Sequence, residues 1–275
     1  MKIFMDNSAA KELEDIDSLE SMDKIYSIEQ LEDIADENEH IIKLWEPLEF
    51  KIDENYEYVP KSKIFSFASN FIYYIIAYPI LKILLKVVYN LKIEGKENIK
   101  DLESGAITVS NHVLFLDCAM IGASCGLKRV YYTTREESFK IPGVRKLIKL
   151  LRAMPIPNSI KNRYHFLDSV DRLLENGNIV HFYPEASMFP YYEKIRNFKN
   201  GAFDIAVKND VPIIPIVITF KEPKGIRKIF KKKKDVVLHI LEPVMPNKNE
   251  TSLRKKVNLL KEEVHTKMQS KIEEK

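Results

Sequence analysis

Ala106-Ile-Thr-Val-Ser110 runs without a break into Asn111-His112-Val113-Leu114-Phe115-Leu116-Asp117. The first five residues suit a short apolar strand, and the next helix is expected to begin at or just after the aspartate. Working outward, short apolar runs alternate with helix-length stretches. Strands are expected over 91–94, 106–110, 129–134, 178–183, 213–220 and 236–241. Helices are expected over 118–125, 143–151, 163–175, 201–208 and 252–268, the third closed by Asn176-Gly177. That rhythm predicts an α/β fold.

A chain of 275 residues suffices for one catalytic domain with appendages. Its charge is unevenly spread. Residues 1–60 carry 5 Lys/Arg and 18 Asp/Glu, a net of −13, leaving +16 on the remaining 215 residues and +3 overall. The basic body calls for an anionic partner, and the apolar segment described next selects a membrane surface over nucleic acid. Two cysteines, Cys118 and Cys125, make no disulfide framework or metal spacing and read as packing residues in a reducing compartment. The acidic start is not that of a secretory signal, so the body is expected to stay on the cytosolic side.

The chain divides into an acidic appendage over 1–60, a membrane-associated segment over 61–90 and a catalytic domain over 91–275. In the appendage, Ile16, Leu19, Met22, Ile25, Ile28, Leu31 and Ile34 are spaced for one weakly amphipathic helix, either a partner-binding element or a solvated tail. From Ile64 to Leu81 there is no charge, and lysines flank the stretch at Lys61, Lys63, Lys82 and Lys86. Its length is borderline for a span, and Pro79 followed by spaced lysines predicts an amphipathic helical hairpin in one leaflet; a true span and a buried helix stay open. The run from Lys221 to Lys234 interleaves eight cations with Ile226, Ile229 and Phe230, which suits an anionic membrane surface. A solvated loop or a nucleic-acid patch are the other readings, though no reader motif accompanies it.

A histidine at a strand end can take a proton near neutral pH. A carboxylate one turn on can hold one ring nitrogen while the other meets a hydroxyl. His112 and Asp117 have that placement, although such a pair arises readily by chance. Further blocks reduce that ambiguity: Arg135-Glu-Glu-Ser-Phe139-Lys-Ile-Pro142-Gly143, then Phe182-Tyr183-Pro184-Glu185-Ala186-Ser187, then Val211-Pro212-Ile213-Ile214-Pro215-Ile216. With the His112-to-Asp117 stretch they resemble, in order, the four motifs of the 1-acyl-glycerol-3-phosphate (lysophosphatidic acid) acyltransferase family.

The resemblance covers about 91–240 and implies a central mixed sheet flanked by helices behind the membrane hairpin. It implies His112 as general base and Asp117 as its orienter, with Glu185, Ala186 and Ser187 in the acceptor-binding loop. The implied reaction carries a fatty acyl group from acyl-CoA or acyl carrier protein to a lysophosphatidate-type hydroxyl, with no metal or bound cofactor. Ala186 and Met188 stand where the family has glycine and arginine, and the stretch Ala153-Met-Pro-Ile-Pro157-Asn158 also lacks the usual arginine. Arg135, Lys194 and Arg196 are the candidate substitutes for phosphate binding. The alternatives are an O-acyltransferase for a lyso-aminolipid or glycolipid, or a catalytically silent membrane-binding protein.

Overall fold

The computed structural model describes residues 50–53, 56–100, 102, 104–141, 144–225, 227–228 and 234–274. The helix expected in the appendage, the Pro142-Gly143 pair and much of the lysine run lie outside these residues. Seven strands, β1 (Lys92–Glu94), β2 (Ala106–Ser110), β3 (Val130–Arg135), β4 (Ala153–Ile156), β5 (Ile179–Phe182), β6 (Ile213–Lys221) and β7 (Asp235–Ile240), form one sheet in the order β1-β7-β6-β2-β5-β3-β4. Every neighbouring pair is parallel except β6 with β7, so the sheet is mixed as expected. Helices are α1 (Lys63–Tyr89), α2 (Glu97–Lys100), α3 (Asp117–Ser124), α4 (Val144–Leu150), α5 (Ile160–Glu175), α6 (Gly201–Asn209) and α7 (Leu253–Glu273).

Period-two alternation sends the side chains of the inner strands into two cores, one on each face of the sheet. Ile107, Val109, Ile213 and Val217 enter the core shared with Phe166 and Val170 of α5, Phe203 of α6 and Leu260 and Val264 of α7. Ala106, Ile214, Ile216 and Ile218 enter the other, with Leu85 and Tyr89 of α1 and Met120 and Ile121 of α3. Ile52 and Tyr58 are buried in the first core, with Phe50 and Tyr56 packed against it. The packed body therefore begins before the boundary at residue 60 that composition suggested. Cys125 is buried, as a packing residue should be, whereas Cys118 on α3 is exposed.

The expected hairpin is instead one continuous helix. Pro79 lies in the first turn of the second α-helical section, where a missing N–H is tolerated, and the π-helical turn Ile72–Ala77 just before it loosens the hydrogen-bond ladder. The helix ends at Asn90, which adopts the left-handed conformation at φ 47°. One side of α1 is fastened along the body. Ser69 Oγ donates to the Leu150 carbonyl at 2.7 Å, the Tyr73 and Tyr132 hydroxyls meet at 3.1 Å, and Tyr74 donates to the Leu127 carbonyl at 3.0 Å. Arg152 donates to Asn70 at 2.7 Å and lies over the Tyr73 ring. Gly122 permits this approach, because a Cβ there would sit 2.5 Å from the Tyr132 hydroxyl. The outer side carries Ile64, Phe67, Phe71, Ile75, Ile80, Ile83 and Val87, all exposed.

Candidate active site

Because β2, β3, β4, β5 and β6 are mutually parallel, their carboxyl ends share one edge of the sheet, where α/β folds build their sites. β2 stops at Ser110, and Asn111 then continues its pairing with a side chain. Asn111 Nδ2 donates to the Ile218 carbonyl at 3.0 Å, and the Ile218 N–H donates to Asn111 Oδ1 at 2.8 Å. This buried amide fixes the base of the loop that follows. A strand-end asparagine was visible in the sequence, but its partner, 107 residues away, was not.

His112 Nδ1 and Asp117 Oδ2 are 2.6 Å apart. Asp117 opens α3 and is buried, whereas the His112 side chain keeps 23% of its surface. With Nδ1 engaged, Nε2 is the nitrogen left to exchange a proton with a bound molecule. Tyr183, just beyond β5, donates to the second Asp117 oxygen, Oδ1, at 2.6 Å and stacks on the His112 ring at a centroid distance of 4.0 Å. Burial and the Asp117 charge push its phenol well above the ordinary value, so it remains a donor.

Beneath this group lies a second histidine. His181 is fully buried, with Nδ1 2.9 Å from Thr108 Oγ1, Nε2 3.4 Å from Ser110 Oγ and its ring edge-on to Tyr183. Desolvation lowers its pKa to about 3, only partly opposed by Asp117, so the ring is neutral. Tyr183 and His181 are the two residues that the motif reading missed. The signal was present as period-two spacing in β2 and β5, but only the sheet order makes those strands neighbours.

The loop after β5 wraps the histidine. The Phe189 N–H donates to the His112 carbonyl at 2.9 Å and the Tyr191 N–H to the Val113 carbonyl at 3.0 Å. Glu185, 4% exposed, accepts from the His112 N–H at 3.3 Å, the Arg196 N–H at 3.1 Å and the Arg196 guanidinium at 3.4 Å. Burial raises its carboxyl pKa, while Arg196 opposes the rise. Arg196 also donates to the Ser187 carbonyl and lies 3.7 Å from the Phe189 ring centroid. It is therefore a cation committed to Glu185 and the loop backbone.

Ala186 keeps the left-handed turn at φ 65° although it has a side chain. Ser187 is buried, its hydroxyl without a partner among the described residues. Arg135 is exposed at the end of β3, 3.5 Å from Glu137, and Lys194 is exposed beside Tyr192. β5 separates β3 from β2, which puts Arg135 about 10 Å across the edge from the loop that carries His112. Within the lysine-rich segment, Arg227 pairs with Asp235 at 3.0 Å and Lys234 with Glu193 at 2.9 Å, so two of its eight cations are neutralised within the body.

Residues 90–219 match the model of the family described as Acyltransferase. A 1-acyl-sn-glycerol-3-phosphate acyltransferase of Arabidopsis thaliana, LPAT1, chloroplastic, is 30% identical over 131 residues, 47% of this chain and 36% of that protein. The Brassica napus protein BAT2, chloroplastic, carrying the same enzyme name, is 29% identical over 132 residues, 47% of this chain and 37% of the relative. The chain thus spans little more than a third of these relatives. The crystal structure of the 1-acyl-sn-glycerophosphate (LPA) acyltransferase PlsC from Thermotoga maritima shares the fold, with a TM-score of 0.55 and 24% identity over 78% of this chain and 84% of that one.

Proposed function

We propose that this chain, whose residues 90–219 match the acyltransferase family model, is a membrane-associated O-acyltransferase acting on a lysophosphatidate-type acceptor in phospholipid synthesis. The observation that carries the reading is the His112–Asp117 pair at the carboxyl edge of the sheet, with one imidazole nitrogen held at 2.6 Å and the other available.

The acceptor hydroxyl attacks the carbonyl carbon of an acyl thioester as His112 Nε2 takes its proton. The tetrahedral intermediate then expels the thiolate, which recovers that proton from His112, giving an ester and a free thiol. Asp117 compensates the transient imidazolium, and Tyr183 positions Asp117. A positioned base contributes about 10²–10⁴-fold, and the thioester is already activated, so no enzyme nucleophile is required. The donor is an acyl-CoA or an acyl carrier protein thioester.

The lipid surface is met by the exposed side of α1, with the body on the cytosolic face. A helix of 27 residues reaches about 40 Å. Yet its other side is fastened to the body from Ser69 to Tyr89, and that supports a helix lying along one leaflet over one crossing the bilayer.

A phosphate-free acceptor is the second reading. It is favoured by Met188 at the family's arginine position and by the commitment of Arg196 to Glu185. Purified protein given a labelled acyl donor should be offered lysophosphatidate, lysophospholipids and lyso-aminolipids in parallel, with products identified by mass. Esterified lysophosphatidate is expected, and its formation should fall by at least 10²-fold in His112→Ala. Undiminished transfer by that folded variant would remove the reading; exclusive use of a lyso-aminolipid would select the second.

A further inference from the structure

Beside the second half of α1, a cavity of about 240 Å³ opens between that helix, β1 and the carboxyl end of α3. Its rim carries Lys82, Lys86 and Lys96, and its wall includes Tyr78, Leu91 and Ile93. All three lysines are exposed, and among the described residues none makes an ion pair; Lys82 Nζ lies 5.9 Å from the Tyr78 ring centroid. No acidic residue lines the cavity. The α3 carboxyl end contributes roughly half a negative charge, which three ammonium groups outweigh.

The cavity also adjoins the apolar side of α1. Lys82 precedes Ile83 and Lys86 precedes Val87, a step of about 100° around the helix, so the cations border the exposed stripe. A molecule with a negatively charged head and apolar tails fits both features at once. The volume is below the ~300–1,000 Å³ of sites that enclose a drug-sized ligand, so it takes a head group and leaves the tails along Ile83 and Val87.

We propose that Lys82, Lys86 and Lys96 form a binding site for the phosphate head group of an anionic glycerophospholipid, separate from the site where transfer occurs. α3, about 12 Å long, lies between the cavity and Asp117. The bound lipid is a fixed component of the leaflet that holds and orients α1; it is not the acyl acceptor. The inference rests on α1 lying at a lipid surface and not on acyl transfer, so a lipid-binding but inactive protein would separate the two.

The test is titration of the full-length protein with vesicles of phosphatidylcholine alone or with phosphatidylglycerol. The variant K82Q/K86Q/K96Q is compared with K248Q/K255Q/K256Q, which removes the same charge; Lys255 and Lys256 lie on α7, which packs on the opposite face of the sheet. The first variant should lose about 100-fold in affinity for the anionic vesicles, while its weaker binding to phosphatidylcholine and its thermal midpoint stay unchanged. The control should lose less than tenfold, and K86Q alone should fall between wild type and the triple variant. Excess glycerol phosphate should not release the wild-type protein, because a soluble phosphate lacks the tails. Equal losses in the two triple variants, a loss below threefold in the first, or release by glycerol phosphate would overturn the proposal.

Discussion

Tyr183 Oη and Asp117 Oδ1 are joined at 2.6 Å, so the buried carboxylate has both oxygens engaged, one by the phenol and one by His112 Nδ1. The phenol ring also stacks on the imidazole it helps to orient. Tyr183→Phe keeps the stack and deletes the donor, leaving a buried carboxylate oxygen short of one charge-assisted hydrogen bond worth about 1.5–3 kcal/mol. Turnover should fall roughly tenfold with the acceptor KM unchanged. Steady-state kinetics check this, and a rise in KM without loss of kcat would mean that Tyr183 binds substrate instead.

The three candidate phosphate-binding cations should separate by experiment. Arg196→Gln leaves Glu185 buried without its cation, which costs about 3–5 kcal/mol and should appear first as a lowered midpoint in thermal or urea unfolding. Arg135→Gln and Lys194→Gln, at exposed positions, should leave stability alone and together raise the KM for a phosphorylated acceptor about tenfold. Unchanged KM in that pair would give the phosphate no partner in either residue.

His181 makes stability depend on acid. Unfolded, its imidazole takes a proton below about 6.5; folded, it does not until about 3. Between those values the unfolded chain binds more protons, so stability is complete above pH 6.5 and falls as the pH drops, with a slope of about 1 kcal/mol per unit. His181→Gln should flatten the decline by about one proton's worth between pH 6 and pH 4, measured by unfolding at fixed ionic strength. A parallel decline in both proteins would show that carboxylates alone cause it.

Ala186 holds a backbone conformation that its Cβ disfavours by about 1–2 kcal/mol. Glycine removes that strain at the cost of a looser unfolded chain, for a net gain of about 1 kcal/mol. Ala186→Gly should raise the melting temperature by roughly 2–4 °C. A fall would mean that the alanine methyl packs where glycine cannot.

Much of this arrangement was legible in the sequence. Ala106–Ser110 was readable as a strand, and the five-residue step from His112 to Asp117 placed the pair at its end. The boundaries of the six expected strands fall within a residue or so because the apolar runs end where the sheet ends. Partnerships created by the sheet order were hidden: Asn111 with Ile218, Thr108 with His181, Tyr183 with Asp117. The pairing of Arg196 was hidden as well, because nothing local distinguishes a cation in water from one folded back onto a carboxylate eleven residues earlier. α1 was read as a hairpin because Pro79 was weighed as a breaker, whereas it sits in a first turn behind a π-helical turn.

Because α1 is fastened lengthwise to the body, a lipid that adheres to its outer side fixes how the whole molecule lies. Encounter with the acceptor then becomes a search in two dimensions. For the proposed activity, the rate at saturating donor should follow the mole fraction of lysolipid in the vesicle, and adding inert lipid should slow it even when the amount of acceptor per volume is constant.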